Sequence, residues 1–337
     1  MSSRHNIMFL GPSGAGKTTL LASLYRELPG ILKSRGNSTL RCVDPDRERD
    51  LREKVEEVEK VEENAFFTFG TTLTGTQALQ RYPFELSYQE RALLGFEIID
   101  HKGGDISLST LGQESKTALI GSLKESEVAL VVVDAAIMMA DPVGVDANRF
   151  NQYIAVSDYL HKRIMESDRP LLVQFLLTKS ERWWREEVRS LPDRGEALLK
   201  KARESLAPSI TLIEEAASRG RQVMAVIEPV LTLNCVEYSR RAVGPSPMRL
   251  EFVRLPRLPY KSDVSLPILR GIAFGLAQRL QTRSVWWREL VQKPELEALR
   301  HQLREFSLIE GLLSPDHERA LGDTELLKDL VHPLLQR

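Results

Sequence analysis

Two cysteines in 337 residues, Cys42 and Cys235, are too few for a disulfide framework or a four-cysteine metal site, and they suit a reducing compartment. An excess of one charge is missing too: 46 lysines and arginines stand against 47 aspartates and glutamates, a formal net charge of −1. No global field therefore points to nucleic acid or an acidic membrane, and arginine-rich spots such as Arg240-Arg241 are too scattered for a nucleic-acid footprint. No run approaches the roughly eighteen unbroken apolar residues of a membrane span. The apolar run behind Met1-Ser2-Ser3-Arg4-His5-Asn6 is too short for a signal peptide. The six histidines lack metal-ligand spacing, and the chain has neither an internal repeat nor a low-complexity tract. These absences predict a soluble, cytoplasmic protein without a membrane span, long enough for one large domain or two modest ones.

What the chain does carry is Gly11-Pro12-Ser13-Gly14-Ala15-Gly16-Lys17-Thr18, which fits G-x-x-x-x-G-K-[ST]. The apolar run Ile7-Met8-Phe9-Leu10 leads in, and Thr19-Leu20-Leu21-Ala22-Ser23-Leu24-Tyr25 leads out at helical period. A strand that stops at a glycine-rich turn and restarts as a helix points several backbone N–H groups and the positive end of the helix at one spot, where phosphate belongs. Lys17 supplies a point charge for the outer phosphates, and the Thr18 hydroxyl is a ligand for the magnesium that bridges them. Gly11, Ser13, Gly14, Ala15, Gly16, Lys17, Thr18 and Thr19 are the candidate phosphate-binding residues.

Downstream, Pro29-Gly30 is expected to end the first helix. Residues 46–64 form a charged helix with a narrow seam of Leu51, Val55, Val58 and Val61. A polar loop rich in glycine and threonine follows at 70–76, then a hairpin over 79–87 and 93–99. Further elements are predicted as a helix over 110–124, a buried strand Val128-Ala129-Leu130-Val131-Val132-Val133-Asp134, a helix over 146–165 and a buried strand over 170–177. After these come a long helix over 196–218 broken near Pro208, strands at 222–227 and 229–233, a proline-rich irregular loop at 244–267, and a helix over 267–291. Strands alternating with helices on this scale specify an α/β three-layer sandwich.

Two strand ends narrow the chemistry. Asp100 closes an apolar strand and is followed by Gly103, so the carboxylate can hold a magnesium-bound water and the glycine N–H can face a terminal phosphate. Thr178-Lys179-Ser180-Glu181 ends a later buried strand, where a carboxylate can accept two hydrogen bonds from guanine and a lysine stem can lie along base and ribose. With these motifs in this order, the chain resembles the translation-factor-related (Ras-like, TRAFAC) class of P-loop GTPases. More loosely, it is similar to large bacterial members such as the double-GTPase families of conflict systems.

The resemblance implies a Ras-like P-loop fold with a mostly parallel sheet, one antiparallel hairpin strand, and helical insertions. Residues 1–292 are expected to form the GTPase domain, with a helical insertion at about 29–69, and residues 293–337 a C-terminal helical extension. Thr178, Lys179 and Glu181 would read the base, and Asn234-Cys235-Val236 occupies the place of a Ser-Ala-Lys-type loop, so that Cys235 faces guanine. Thr18, Thr76 and Asp100 would hold Mg2+, with Thr76 preferred over Thr71, Thr72 and Thr74 as the threonine of the first switch. Glu181 is one methylene longer than the usual aspartate. Gly104 stands where many relatives carry a glutamine that orients the attacking water.

The catalytic candidates are thus Lys17, Thr76 and Gly103, with His101, Lys102, Asp105 or a partner's residue supplying what Gly104 lacks. The expected activity is that of a GTP/GDP switch protein with slow or partner-assisted hydrolysis. It would act through protein effectors or regulators, including a GTPase-activating partner, and the class leaves dimerisation across nucleotide sites open. The competing readings are an ATP-using enzyme, either an ATPase or a small-molecule kinase, and a nucleotide-binding scaffold that does not hydrolyse.

Overall fold

The computed structural model describes residues 5–34, 38–63, 66–68, 79–101, 113–139, 151–184, 192–232, 236–241, 250–254, 264–282, 297–298, 301–302, 304 and 320–322. The chain begins with β1 (His5–Leu10), α1 (Lys17–Ser34), β2 (Ser38–Cys42), α2 (Pro45–Glu63) and the short β3 (Phe66–Thr68). A hairpin of β4 (Gln80–Tyr88) and β5 (Arg91–Asp100) follows, turning on Gln89 and Glu90 at φ 47° and 65°. Positive φ at both central residues gives the turn the twist of the strands it joins. Next come α3 (Gln113–Lys124), β6 (Val128–Asp134), α4 (Ala135–Met139), α5 (Tyr153–Glu166) and β7 (Leu171–Thr178). The remainder comprises α6 (Glu181–Trp184), α7 (Pro192–Ser205), α8 (Ala207–Ser218), β8 (Val223–Pro229), β9 (Val236–Arg241), β10 (Leu250–Arg254), α9 (Ser265–Thr282) and β11 (Ala320–Gly322).

Side-chain alternation on β1 shows how the layers are made. Ile7 and Phe9 enter one apolar cluster with Leu20, Leu24 and Leu28 of α1 and Ile268 and Ile272 of α9. Met8 and Leu10 enter the other, with Leu119 of α3, Leu160 of α5, Leu198 of α7 and Ile213 of α8. Successive strand residues point to opposite faces, so a strand apolar throughout needs helices on both. The result is the expected three-layer α/β sandwich.

The main sheet has eight strands in the order β11-β8-β7-β6-β1-β5-β4-β2, parallel from β8 through β5 and antiparallel at its margins. A second, three-stranded antiparallel sheet has the order β3-β10-β9. In the parallel part, the C-terminal ends of β1, β5, β6 and β7 emerge on one side, the side where open α/β sheets bind ligands.

The fold departs from the sequence reading in several places. α1 continues through Pro29 to Ser34, giving up one main-chain hydrogen bond while keeping Leu28 and Leu32 in the core. The stretch expected as a helical insertion also supplies β2, which pairs with β4 along the sheet margin, and β3. Within it α2 is the expected charged helix, with Leu51 and Val58 buried and Asp50 accepting the Tyr82 hydroxyl at 2.6 Å. The C-terminal region expected as helices contributes β11, which covers the edge of β8. Antiparallel pairing therefore extends beyond the one hairpin strand that was expected. β8 ends at Pro229, and Val230 to Thr232 follow as buried chain without strand pairing. The break in the long helix falls at Leu206, and Trp183 of α6 packs, partly buried, against the second apolar cluster. Most of the proline-rich loop lies outside the described residues.

Two buried polar ties fasten α9 to the sheet. Arg270 donates from Nη1 to Gln174 and to Glu228, each at 2.7 Å, and Gln174 returns a 2.8 Å bond to the Pro267 carbonyl. One residue further along α9, His5 Nε2 of β1 lies 3.0 Å from the Gly271 carbonyl, with Glu127 3.6 Å from its Nδ1. Burial pushes the His5 imidazole down to about 4, outweighing the Gly271 contact.

The unfolded chain therefore binds this proton first. As pH falls from 6.5 through 4, the folded state loses about 3 kcal/mol from this group, and nothing further below 4. Burial raises the Glu127 carboxyl, which titrates in the opposite sense. The difference between wild type and His5→Gln, followed by urea unfolding from pH 7 to 4, isolates the histidine. The wild-type stability should fall more steeply, and parallel pH profiles would contradict the assignment.

Candidate functional site

The glycine-rich loop between β1 and α1 takes its shape from three glycines. Gly11, Gly14 and Gly16 have φ of 144°, 79° and 100°, values that side chains with a Cβ rarely adopt. Gly11 also passes β6 so closely that a Cβ would stand 2.5 Å from the Val132 carbonyl oxygen. The loop closes with Ala15 N–H donating to Pro12 at 3.4 Å, and α1 begins with Leu20 N–H donating to Gly16 at 2.8 Å. No acidic residue occupies the first turn of α1. A negative charge is stabilising against that positive end. Here Lys17, Thr18 and Thr19 stand there, and the first-turn amides, which have no partner within a helix, are available to an anion.

Lys17 is buried, and its ammonium donates to the Gly11 and Pro12 carbonyls at 2.7 Å each. Burial pushes its pKa down to about 8, and the negative charge of Asp100 opposes that shift. Asp100, at the end of β5, is fully buried beside β1, and His101 directly after it is buried too. The structure thus brings together the loop, Lys17 and Asp100, three of the expected parts.

The end of β7 supplies the next part. The Thr178 hydroxyl reaches the Ala15 carbonyl and lies 3.1 Å from that of Val133, so this side chain sits between the loop and β6. Lys179, in left-handed backbone at φ 56°, donates to the Gly14 carbonyl at 2.8 Å and forms an ion pair with Asp134. Glu181 is buried at the first position of α6. The chain after β8 is drawn toward the same place by the Val230 N–H on Leu177 at 3.0 Å and by the Ser23 hydroxyl of α1 on the Thr232 carbonyl at 3.0 Å.

Ser13 is exposed on the loop's outer side, while Thr18 and Thr19 are half-buried in the first turn of α1. Thr76, Gly103 and Cys235 lie outside the described residues, as do Thr71, Thr72, Thr74, Lys102, Gly104 and Asp105. Sequence reasoning assigned no role to Asp134 or Asn151, which meet beside Lys179. The available signal was that Asp134 closes a buried strand as Asp100 does.

The donors fit magnesium. Thr18 and Asp100 offer a hydroxyl and a carboxylate, the hard oxygen ligands that this ion takes alongside phosphate oxygens and water. Among the described residues no cluster of three His, Cys, Asp or Glu side chains competes as a metal site.

Gly11→Ala places a methyl group against main chain at an unfavourable φ and should cost about 1–3 kcal/mol. Gly30→Ala, with nothing within 4 Å of its added carbon, should be neutral or stabilising by up to about 1 kcal/mol. Thermal unfolding of the pair checks this, and equal midpoints would contradict the close approach. In comparisons with known proteins, neither a protein family nor a curated protein matches the chain. Among solved structures it is similar to a chain of the signal recognition particle receptor SRb-GTP/SRX complex from Chaetomium thermophilum, with 15% identity and a TM-score of 0.36. That likeness covers 73% of this chain and 94% of the other, and is too remote to carry function.

Proposed function

We propose that the chain is a cytoplasmic, magnesium-dependent GTP-binding switch protein that hydrolyses GTP to GDP and phosphate slowly or with a partner's help. The observation that supports this most is the convergence of three strand ends on one loop: Lys17 faces Asp100 across the ends of β1 and β5, while Lys179 reaches back from β7 to Gly14. Lys17 and the amides of the loop and first helical turn would neutralise phosphate charge. The Lys179 stem and the Glu181 carboxylate would flank the base, with Cys235 at its other edge. Thr18, Asp100 and Thr76 would hold Mg2+, which supplies charge neutralisation at the outer phosphates when bound.

Catalysis in this arrangement rests on positioning and on fixed charge. Gly104 brings no side chain with which to orient water, so His101, Lys102, Asp105 or a partner's residue would do so. Order gained around Thr76 and Gly103 with the outer phosphate, and lost on hydrolysis, would present different surfaces to effectors.

Titration with GTP, GDP, ATP and ADP in magnesium, followed by phosphate release with and without candidate partners, tests the proposal. Guanine nucleotides should bind more tightly, and Lys17→Ala should weaken them about a hundredfold through loss of a charge-assisted bond. A preference for ATP would favour the ATP-using reading that the longer Glu181 leaves open. Wild-type affinity in Lys17→Ala would overturn the site.

Proton linkage gives a second check. With its pKa held near 8, Lys17 is largely neutral at pH 9 and charged at pH 7 in the unliganded protein. Phosphate favours the charged form, so binding should take up nearly one proton at pH 9 and almost none from this group at pH 7. Calorimetry in buffers of different ionisation enthalpy measures this, and equal uptake at both pH values would contradict it.

A further inference from the structure

Asp134 closes β6 fully buried, yet it belongs to none of the motifs on which the nucleotide site was read. Its carboxylate is anchored before Lys179 is considered. Oδ1 accepts the Ile137 N–H at 2.9 Å, which fixes one oxygen against the start of α4. Asn151 grips the main chain on both sides: its Oδ1 accepts the Asp134 N–H at 2.9 Å, and its Nδ2 donates to the Asp134 carbonyl at 3.3 Å. The same Nδ2 donates to the Tyr153 hydroxyl at 3.0 Å, which ties the group to α5. A carboxylate held in this way cannot follow its partner, so the partner comes to it. Lys179 does so through left-handed backbone, places its ammonium on Oδ2, and donates from the same ammonium to Gly14 in the phosphate loop.

We propose that Asp134 is a positioning residue for the nucleotide, setting the Lys179 side chain where its stem flanks the base and its ammonium braces the phosphate loop at Gly14. The base end and the phosphate end of the site are thereby one mechanical unit, joined by Lys179 and referred to the rigid end of β6. This rests on the nucleotide-binding reading above. The contact is not a solvated surface pair, whose two ends contribute little to each other. Its carboxylate is buried, so removing one partner strands the charge of the other.

Asp134→Asn separates the roles. The amide oxygen still accepts the Ile137 N–H, whereas a neutral group faces Lys179. The test is a double-mutant cycle with Lys179→Met, reading Kd for GDP by fluorescence in magnesium and the unfolding midpoint of each variant. Asp134→Asn should weaken GDP about tenfold in the wild-type background. With Lys179→Met it should change affinity less than about twofold, because the neutralised carboxylate then has no cation to position.

Equal losses in both backgrounds, or losses that track the unfolding midpoint, would assign Asp134 a structural role alone and overturn the proposal. So would wild-type GDP affinity in Lys179→Met, with the nucleotide reading left intact. A wild-type protein that binds no nucleotide overturns both. Preference for ADP removes only the guanine assignment, and the same cycle run with ADP then decides the role of Asp134.

Discussion

A buried ammonium beside a buried carboxylate sets the terms for the rest of the site. Burial drives the Lys17 proton off toward about pH 8, and the charge of Asp100 is what opposes it. Taking both groups out of water costs several kcal/mol per ion unless they are near each other and hydrogen-bonded. That requirement explains the loop's shape: the Gly11 and Pro12 carbonyls must turn inward to accept the ammonium, and only a residue without Cβ can pass Val132 where Gly11 does. It also explains the sheet, since Asp100 reaches this place by ending a strand paired in parallel with β1.

The same logic is repeated one strand pair away. β6 and β7 run parallel in register to their last residues, with Asp134 opposite Thr178, so two polar strand ends arrive together above an apolar sheet. Thr178 bonds to the loop and Lys179 to Asp134 and Gly14. Parallel pairing thus delivers a row of strand ends to one edge, and the glycine-rich loop is the element short enough and bare enough to touch several of them. The margins of the sheet serve another purpose: β2 and β11 add antiparallel strands outside the working centre, and α9 is locked beneath it by Arg270, Gln174 and Glu228.

Much of this was legible along the chain because it depends on local pattern. Continuous valine and leucine in 128–133 marks a strand buried on both faces, and all seven residues of β6 are buried. G-x-x-x-x-G-K-[ST] between an apolar run and a helical period marks the loop, and its glycines adopt positive φ. Thr178 and Lys179 were legible as a strand-terminal pair. Less legible were β2 and β11, short segments whose strand character comes from a neighbour with an open edge rather than from their own composition. Pro29 misled for a similar reason: its local preference to end a helix lost to the burial of Leu28 and Leu32 on either side.

The sequence by itself determined the two-faced sheet, the glycine-rich loop between strand and helix and the identity of the charges at the strand ends, since each follows from the spacing of neighbouring residues. Tertiary structure alone decided which charges meet. Asp134 lies 45 residues before Lys179 and Asn151 lies 17 after Asp134, separations over which no periodicity operates. Their meeting is set by the parallel register of β6 and β7 and by the return of α5. The pairing follows because buried ions must find partners wherever the fold has placed them.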